Sequence, residues 1–215
     1  MQFFLDTANI DEIKKYAKWG MIDGITTNPS LMAKEGVSLE KRIKEIAAVI
    51  DGPISSEVIS TDLKGMIEEG KKMSKWHPNV YIKVPMTPNG LMACKALRSE
   101  GINVNVTLIF SASQAILAAK AGATFVSPFI GRLDDISEDG MSLIADIMQI
   151  FENYEFETKV LVASVRHPRH VVDSMLIGAD ICTMPETVFS KLIQHPLTDI
   201  GVERFLSDWK NAKKK

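Results

Sequence analysis

Eight short runs of apolar and β-branched residues recur along the chain, and each is followed by a stretch of helical character. The runs cover 2–5, 23–25, 54–58, 80–84, 103–108, 124–127, 159–163 and 180–183, at intervals of about 20 to 35 residues. Parallel strands need crossover connections of about that length, usually helices. The count and spacing therefore favour an α/β fold of the (β/α)8 TIM-barrel class, with a doubly wound parallel sheet as the alternative.

Capping signals mark several of the intervening helices. The segment 61–75 follows a possible Thr61 cap, and 111–121 opens with Ser and ends before a glycine. Thr87 precedes Pro88, an arrangement typical of a cap and first-turn proline. The segment 38–50 carries a helical apolar stripe, so two helices are predicted between the second and third strands.

The chain shows no composition break or linker, so we expect residues 1–215 to form one domain. Beyond the eighth run, about 199–212 carries an apolar stripe that includes Phe205 and Trp209. This stripe predicts an additional C-terminal helix, buried either on its own barrel or on a neighbouring subunit. Lys213 to Lys215 follow it and are interpreted as a solvated tail.

Charge and hydropathy narrow the classes of partner. Lys and Arg number 25 against 27 Asp and Glu, a formal charge of −2, so we expect neither nucleic-acid nor membrane binding. No apolar stretch is long enough for a transmembrane span, and the N-terminus lacks the basic region and following apolar run of a secretory signal. A cytoplasmic location is therefore expected. Cys94 and Cys182 lie in apolar stretches far apart, which indicates buried free thiols.

Polar side chains cluster where the predicted strands end. In a barrel the carboxyl ends of the strands converge on one mouth, where enzymes of this architecture place their chemistry. Isolated buried charges are costly, so polar and charged residues at most of the strand ends are more than packing requires. The residues are Asp6, Thr26, Thr27, Asn28, Glu57, Lys83, Asn105, Thr107, Ser127, Ser164 and Arg166.

Lys83 is the most informative of these residues because it lies inside an apolar strand. Desolvation there disfavours an ammonium ion, and a neutral amine can attack a carbonyl to form a Schiff base. The structural alternative is a lysine that extends to solvent at the strand end, or one paired with Asp6 or Glu57. The residues alone leave both interpretations open.

Asp6 and Glu57 could divide acid and base work around such a lysine. The alternatives are a helix N-cap for Asp6 and a barrel salt bridge for Glu57. Arg132 and Arg166 follow the sixth and seventh strands and suit bidentate recognition of a phosphate or carboxylate, although either alone could be an ordinary surface arginine.

No motif for a metal or an organic cofactor is recognisable. His167 and His170 are three residues apart, but no Cys, Asp or Glu close in sequence completes a ligand set. Phosphate loops, dinucleotide motifs and GxSxG are absent from the sequence. The residues therefore predict no metal site and carry no recognisable cofactor motif.

Five segments resemble the transaldolase family: LDTAN at 5–9, GITTNPSL at 24–31, YIKVPMT at 81–87, NVTLIFS at 105–111 and SPFIGRLDD at 127–135. The short chain is similar to the small subfamily that also contains fructose-6-phosphate aldolases. The resemblance implies a (β/α)8 barrel, a Schiff-base mechanism without a cofactor, and sugar-phosphate substrates.

The resemblance also assigns roles to individual residues. Lys83 would form the Schiff base, Asp6 would act as base on the hydroxyl of the cleaved bond, and Glu57 with Thr107 and a water would relay protons. The implied substrate-binding set is Asn28 and Asn105 for the dihydroxyacetone hydroxyls, Ser127 and Phe129 for the cavity wall, and Arg132, Ser164 and Arg166 for the phosphate.

Two positions bear on the kind of reaction. Glu57 and Phe129 resemble the residues of transaldolases at these positions. The fructose-6-phosphate aldolases of the subfamily carry Gln and Tyr there instead. The expected function is transfer of dihydroxyacetone between fructose 6-phosphate or sedoheptulose 7-phosphate and an aldose phosphate, in the non-oxidative pentose phosphate pathway. The alternatives are a lyase of the aldolase type and a catalytically silent sugar-phosphate-binding barrel. Small transaldolases form rings of five subunits that can stack into ten, so a homo-oligomer is also expected.

Overall fold

A computed structural model describes residues 1–213. Within them, eight parallel strands form a closed barrel in chain order, because each strand pairs with the next and the last pairs with the first. This closure confirms the (β/α)8 prediction over the doubly wound sheet. The strands are β1 Gln2–Asp6, β2 Gly24–Thr26, β3 Ile54–Glu57, β4 Val80–Pro85, β5 Val104–Ile109, β6 Phe125–Pro128, β7 Lys159–Val162 and β8 Ile181–Met184.

Helices follow every strand and cover the outside of the barrel. Two of them lie between β2 and β3, as the sequence predicts. They are α1 Ile10–Ala17, α2 Pro29–Lys34, α3 Leu39–Ala47, α4 Leu63–Met73, α5 Pro88–Ser99, α6 Ala112–Lys120, α7 Ile130–Asp134, α8 Gly140–Asn153, α9 Pro168–Ile177, α10 Glu186–Phe189 with a 3-10 turn at Ser190–Ile193, and α11 Pro196–Ala212.

The helix caps agree with the sequence in two of three cases. The Ser111 and Thr87 side chains accept the first-turn amides of α6 and α5. The cap of α4 is Asp62, whose carboxylate accepts from the Gly65 amide at 2.9 Å, so the expectation of Thr61 is wrong. An Asp and a Thr in succession offer two capping groups, and the local pattern does not decide between them.

Two apolar layers stabilise the barrel. The larger one lies between the strands and the surrounding helices and includes both free cysteines, as predicted, and burial raises the pKa of each thiol to about 12. The smaller layer fills the barrel interior, where the Phe4 ring meets Phe125 edge-on at 6.1 Å and Tyr81 stacks on Phe125 at 4.9 Å. A Cβ atom at Gly24 would come within 2.6 Å of the Phe4 ring, so glycine makes room for this plug.

The interior plug determines where the polar residues lie. Successive side chains of a strand alternate between its two faces, so residues two positions apart point the same way. Asp6 follows Phe4 by two positions, Lys83 follows Tyr81, and Ser127 follows Phe125. A polar layer therefore lies directly above the apolar plug, toward the carboxyl ends of the strands.

The C-terminal helix α11 leaves its apolar stripe in solvent. It begins at Pro196, three residues before the predicted start, because His195 caps it and proline suits the first turn. Phe205 is 73% exposed and Trp209 62% exposed. Burial of the stripe on its own barrel is therefore wrong, and the predicted lysine tail continues into Lys214 and Lys215, outside the described residues. Among the helices of residues 1–213, none is long and apolar enough to cross a membrane.

Candidate active site

A cavity of about 310 Å³ opens at the carboxyl ends of the strands. Nine of the eleven predicted site residues line it, and the other two bond to lining residues, Glu57 to Lys83 and Asn105 to Ser127. The nine are Asp6, Asn28, Lys83, Thr107, Ser127, Phe129, Arg132, Ser164 and Arg166. A larger groove of about 730 Å³ lies outside the barrel near Glu155–Lys159, but its lysine is exposed, so it lacks the desolvated amine that the chemistry needs.

Lys83 lies in the polar layer, between β3 and β5. Its side chain is only 6% exposed, and Nζ lies 3.1 Å from Glu57 Oε2. The ammonium also donates to the Thr27 carbonyl at 3.0 Å. The lysine therefore does not extend to solvent, and it is paired with Glu57 as the structural alternative anticipated. That pairing also gives Glu57 a position from which it can exchange a proton with the amine.

Asp6 lies at the end of β1, three strands away from β4, and lines the same cavity as Lys83. Its Oδ1 accepts from the Thr26 hydroxyl at 2.7 Å, and Thr26 meets the Thr183 hydroxyl at 2.6 Å. Desolvation by burial raises the pKa of Asp6, while the charge of Lys83 and the bond from Thr26 oppose that rise. Asp6 does not cap α1: that cap is Asn9, whose Oδ1 accepts from the Asp11 amide at 2.9 Å.

Thr107 carries a hydroxyl with an unfilled hydrogen-bonding capacity. Its Oγ1 is buried at the cavity and has no hydrogen-bond partner among the described residues. Buried hydroxyls are normally satisfied, so an unpaired one beside a cavity indicates a group that meets a water or a ligand. Thr107 is adjacent in register to Ser127 and to Pro85, two residues after the lysine.

Asn105 lies beneath the cavity and supports its wall. Its Oδ1 accepts from the Ser127 hydroxyl at 2.7 Å, and its Nδ2 donates to Ser55 Oγ at 3.1 Å. An amide nitrogen has two hydrogens, so one remains for a ligand. Asn28 uses its Oδ1 to cap α2 through the Leu31 amide at 2.9 Å, so its Nδ2 is the group it can offer.

The outer rim of the cavity is cationic and aromatic. Arg132 on α7 places its guanidinium 5.0 Å from the Phe129 ring centroid, and Phe129 packs edge-on against Phe110 at 5.9 Å. Arg166 follows β7 and pairs with Asp135 at 2.7 Å. Two guanidinium groups at one rim form a site suited to an anion. Ser164 lines the same cavity and has a left-handed backbone, φ 60°.

Sequence reasoning missed the threonines that surround Asp6. The strand-end pattern includes Thr26 but assigns it no role, and it includes no residue from β8. Thr183 on β8 lies in the cavity wall and closes the polar layer around the barrel. The signal that could have found it is its position, two residues after Ile181 of the interior plug.

The residues that the structure describes contain no group of three or more His, Cys, Asp or Glu arranged to hold a metal ion. His167 caps α9 and His170 lies within it, with ring centroids 3.8 Å apart. The fold brings Asp134 to 3.1 Å from His170 Nε2, an acid that is distant in sequence.

Two known proteins are similar to this chain over nearly its whole length. A probable transaldolase from Aquifex aeolicus is 60% identical over 215 residues, covering 100% of this chain and 99% of that protein. One from Nitrosopumilus maritimus is 59% identical, covering 99% and 96%. Among solved structures, thiamine phosphate pyrophosphorylase from Pyrococcus furiosus superposes with a TM-score of 0.61 at 11% identity, covering 89% of this chain and 93% of that one, which shows the shared barrel fold alone.

The family comparison extends over almost the whole sequence. The sequence model described as Transaldolase/Fructose-6-phosphate aldolase matches residues 3–215. The matched region includes every strand of the barrel except the first residue of β1, and every residue that lines the mouth cavity. The chain belongs to the transaldolase/fructose-6-phosphate aldolase family.

Proposed function

We propose that the chain is a transaldolase that moves a dihydroxyacetone unit from fructose 6-phosphate or sedoheptulose 7-phosphate to glyceraldehyde 3-phosphate or erythrose 4-phosphate. The observation that carries the proposal is the buried Lys83, which faces the mouth cavity beside two carboxylates. Membership of the family and relatives named probable transaldolase at about 60% identity support an enzyme of this kind. No cofactor is needed for the chemistry below.

The first half-reaction begins at the lysine. Glu57 at 3.1 Å can accept the ammonium proton, after which the neutral Nζ attacks the ketose carbonyl and forms a carbinolamine. Loss of water then gives the protonated imine. The unpaired Thr107 hydroxyl and the Glu57 carboxylate are the groups we assign to that water and its protons.

Carbon–carbon cleavage follows from the imine. Asp6 removes the proton of the hydroxyl on the carbon that becomes the aldehyde, and the bonding electrons move into the protonated imine. An aldose phosphate leaves, and an enamine of dihydroxyacetone stays on the lysine. The same steps in reverse join the enamine to an acceptor aldehyde, with Asp6 returning the proton to the new hydroxyl.

The remaining residues hold the substrate. Asn28, Asn105 and Ser127 offer amide and hydroxyl groups to the three-carbon unit at the floor of the cavity. At the rim, Arg132, Ser164 and Arg166 receive the distal phosphate. Holding both ends of the sugar fixes the reacting carbons between the lysine and the acid, which lowers the entropic part of the barrier.

Glu57 and Phe129 support a transferase over a lyase. Net release of dihydroxyacetone requires protonation of the enamine, which a phenol or an ordered water near that carbon assists. The apolar Phe129 ring offers no such group and limits water at the site, so the enamine persists until an aldehyde arrives. No observation favours the fructose-6-phosphate aldolase alternative or the silent barrel.

A homo-oligomer is the second part of the proposal. Helix α11 buries none of its side chains on its own barrel, and its exposed apolar stripe includes Leu197, Phe205 and Trp209. A continuous apolar face of this kind is typical of an interface. Light scattering of the chain truncated after Gln194 should report a smaller assembly than the full chain; an unchanged mass would remove α11 from the interface.

Two further expectations stay predictions: that residues 1–215 form one domain, and that the protein is cytoplasmic.

The experiment that tests the function measures exchange with and without an acceptor. Fructose 6-phosphate alone should liberate dihydroxyacetone slowly, and addition of erythrose 4-phosphate should produce rapid sedoheptulose 7-phosphate formation. Lys83→Met should abolish both reactions, whereas Lys159→Met, an exposed strand lysine, should leave them unchanged. Equal rates of cleavage and exchange in the unsubstituted enzyme would replace the transferase by the lyase.

A further inference from the structure

The backbone of Arg166 is held by a histidine that lies outside the cavity. Arg166 follows β7 in a loop without regular structure, and its amide donates to His170 Nδ1 at 3.3 Å. Its guanidinium is additionally paired with Asp135, but both side chains are more than half exposed. Exposed ion pairs are weak and do little to fix a side chain. The hydrogen bond from the Arg166 amide to His170 is therefore the stronger constraint on the backbone from which the arginine side chain extends.

His170 is itself fixed by a second element. Its side chain is 8% exposed, and Nε2 lies 3.1 Å from Asp134 Oδ2 on α7. The other carboxylate oxygen of Asp134 accepts from the Gly140 amide at the start of α8, at 3.1 Å. A continuous chain of contacts thus runs from α8 through Asp134 and His170 to the Arg166 backbone.

These contacts define the protonation state that His170 needs. Nδ1 accepts a bond from the Arg166 amide and therefore carries no proton, so the proton of the neutral ring is on Nε2 and is donated to Asp134. Protonation of the ring would place a hydrogen on Nδ1, facing the Arg166 amide hydrogen. The bond to the Arg166 backbone would then be lost.

The surroundings favour the neutral ring. Burial lowers the pKa of His170, the adjacent His167 lowers it further, and Asp134 and Asp173 oppose both effects. Asp134 belongs to α7, whereas Asp173 lies on α9 with His170, and His167 is the N-cap of that helix. Arg166 contributes its backbone amide to the contact, and its charge is directed to Asp135.

We propose that His170, held by Asp134, is a positioning residue for Arg166 and through it for the phosphate of the substrate. The inference rests on the proposed function, which places the phosphate at Arg132 and Arg166. It predicts a defect confined to phosphorylated sugars, because unphosphorylated ones make no use of the arginine. It also predicts weaker binding of sugar phosphates when His170 is protonated.

Two substitutions separate the two bonds of the ring. His170→Asn keeps an acceptor at the position of Nδ1 but does not reach Asp134, whereas His170→Gln keeps a donor near Nε2 and loses the acceptor. Their kcat/KM values for fructose 6-phosphate and for fructose are compared, with erythrose 4-phosphate as the acceptor. In a double-displacement reaction kcat/KM for the donor reports on the donor half-reaction alone.

His170→Gln should lower kcat/KM for fructose 6-phosphate about tenfold, through a raised KM, and leave fructose unchanged. His170→Asn should retain most of the kcat/KM for fructose 6-phosphate that His170→Gln loses. In an Arg166→Ala background, His170→Gln should add nothing, since the group it positions is gone. Equal losses with both sugars, or the same loss in His170→Asn as in His170→Gln, would overturn the inference.

The Arg166→Ala variant distinguishes this failure from a failure of the proposed function. If that variant penalises fructose and fructose 6-phosphate alike, the phosphate role of Arg166 is wrong. If it is selective for the phosphate and His170→Gln is not, only the role of His170 is wrong.

Should His170→Gln fail to fold, the pH profile of the unsubstituted enzyme provides the test. Its KM for fructose 6-phosphate should rise at acid pH more steeply than that of His170→Asn. Both enzymes share the titration of the substrate phosphate, so parallel profiles would contradict the inference.

Discussion

Replacement of Glu57 by glutamine separates the two roles that the ion pair with Lys83 allows. The pair is 3.1 Å long, with side chains 6% and 15% exposed. Glutamine has the same shape and keeps a carbonyl that can accept a hydrogen bond, but it cannot carry the charge or take the lysine proton. A structural salt bridge and a proton relay therefore predict different losses.

The stability loss follows from the burial of the pair. Removing one partner of a buried ion pair costs about 3–5 kcal/mol, and the bond that the glutamine carbonyl retains returns about 1 kcal/mol. The free energy of unfolding should therefore fall by about 2–4 kcal/mol. For a chain of this size each kcal/mol corresponds to about 2–4 °C, so Tm should fall by roughly 5–15 °C.

The activity loss distinguishes the relay from a salt bridge that only stabilises the fold. Loss of a general acid–base group typically costs about 10² to 10⁴ in rate, so exchange should fall at least about 100-fold at a temperature where Glu57→Gln is folded. Glu100→Gln is the matched control, because it breaks the exposed pair with Lys71 and should change neither Tm nor rate. If the folded Glu57→Gln enzyme keeps an exchange rate within about threefold of the original, Glu57 is not the proton relay.

Three further predictions concern the cavity. Asp6→Asn should abolish cleavage yet raise Tm at neutral pH. Burial raises the pKa of Asp6 above 3.8, so the carboxylate lowers stability once the pH rises through that raised value. The increase in Tm should vanish in melts below pH 3.8. Arg132→Ala should lower kcat/KM for fructose 6-phosphate by about 10- to 100-fold and spare fructose, whereas Arg169→Ala should affect neither sugar. Phe129→Tyr should increase dihydroxyacetone release relative to exchange, and an unchanged ratio would remove Phe129 from the control of water.

Much of the fold could be predicted because strand patterns are local. Short β-branched runs such as 80–84 indicate a strand without help from the rest of the chain, and their regular spacing indicates a parallel barrel. The barrel then places strand-end residues at one mouth, which is why Asp6, Lys83 and Ser127 could be grouped before their contacts were known.

The contacts themselves could not be predicted because they depend on register and on partners distant in sequence. Local pattern left Lys83 free to pair with either carboxylate, and the β3–β4 register puts Glu57 opposite it. Likewise, 36 positions separate Asp134 from His170, and only the adjacency of α7 and the first turn of α9 brings them together. The apolar stripe of α11 predicts a helix, but this pattern does not specify which surface the helix packs against.

The most direct test of the account is to trap the Schiff base. Borohydride reduces an imine to a stable secondary amine, so treatment of the enzyme with fructose 6-phosphate and borohydride, followed by peptide mass mapping, identifies the lysine that carries the sugar. The account predicts one adduct, on Lys83, which is absent from Lys83→Met. An adduct on another lysine, with Lys83 unmodified, would contradict it.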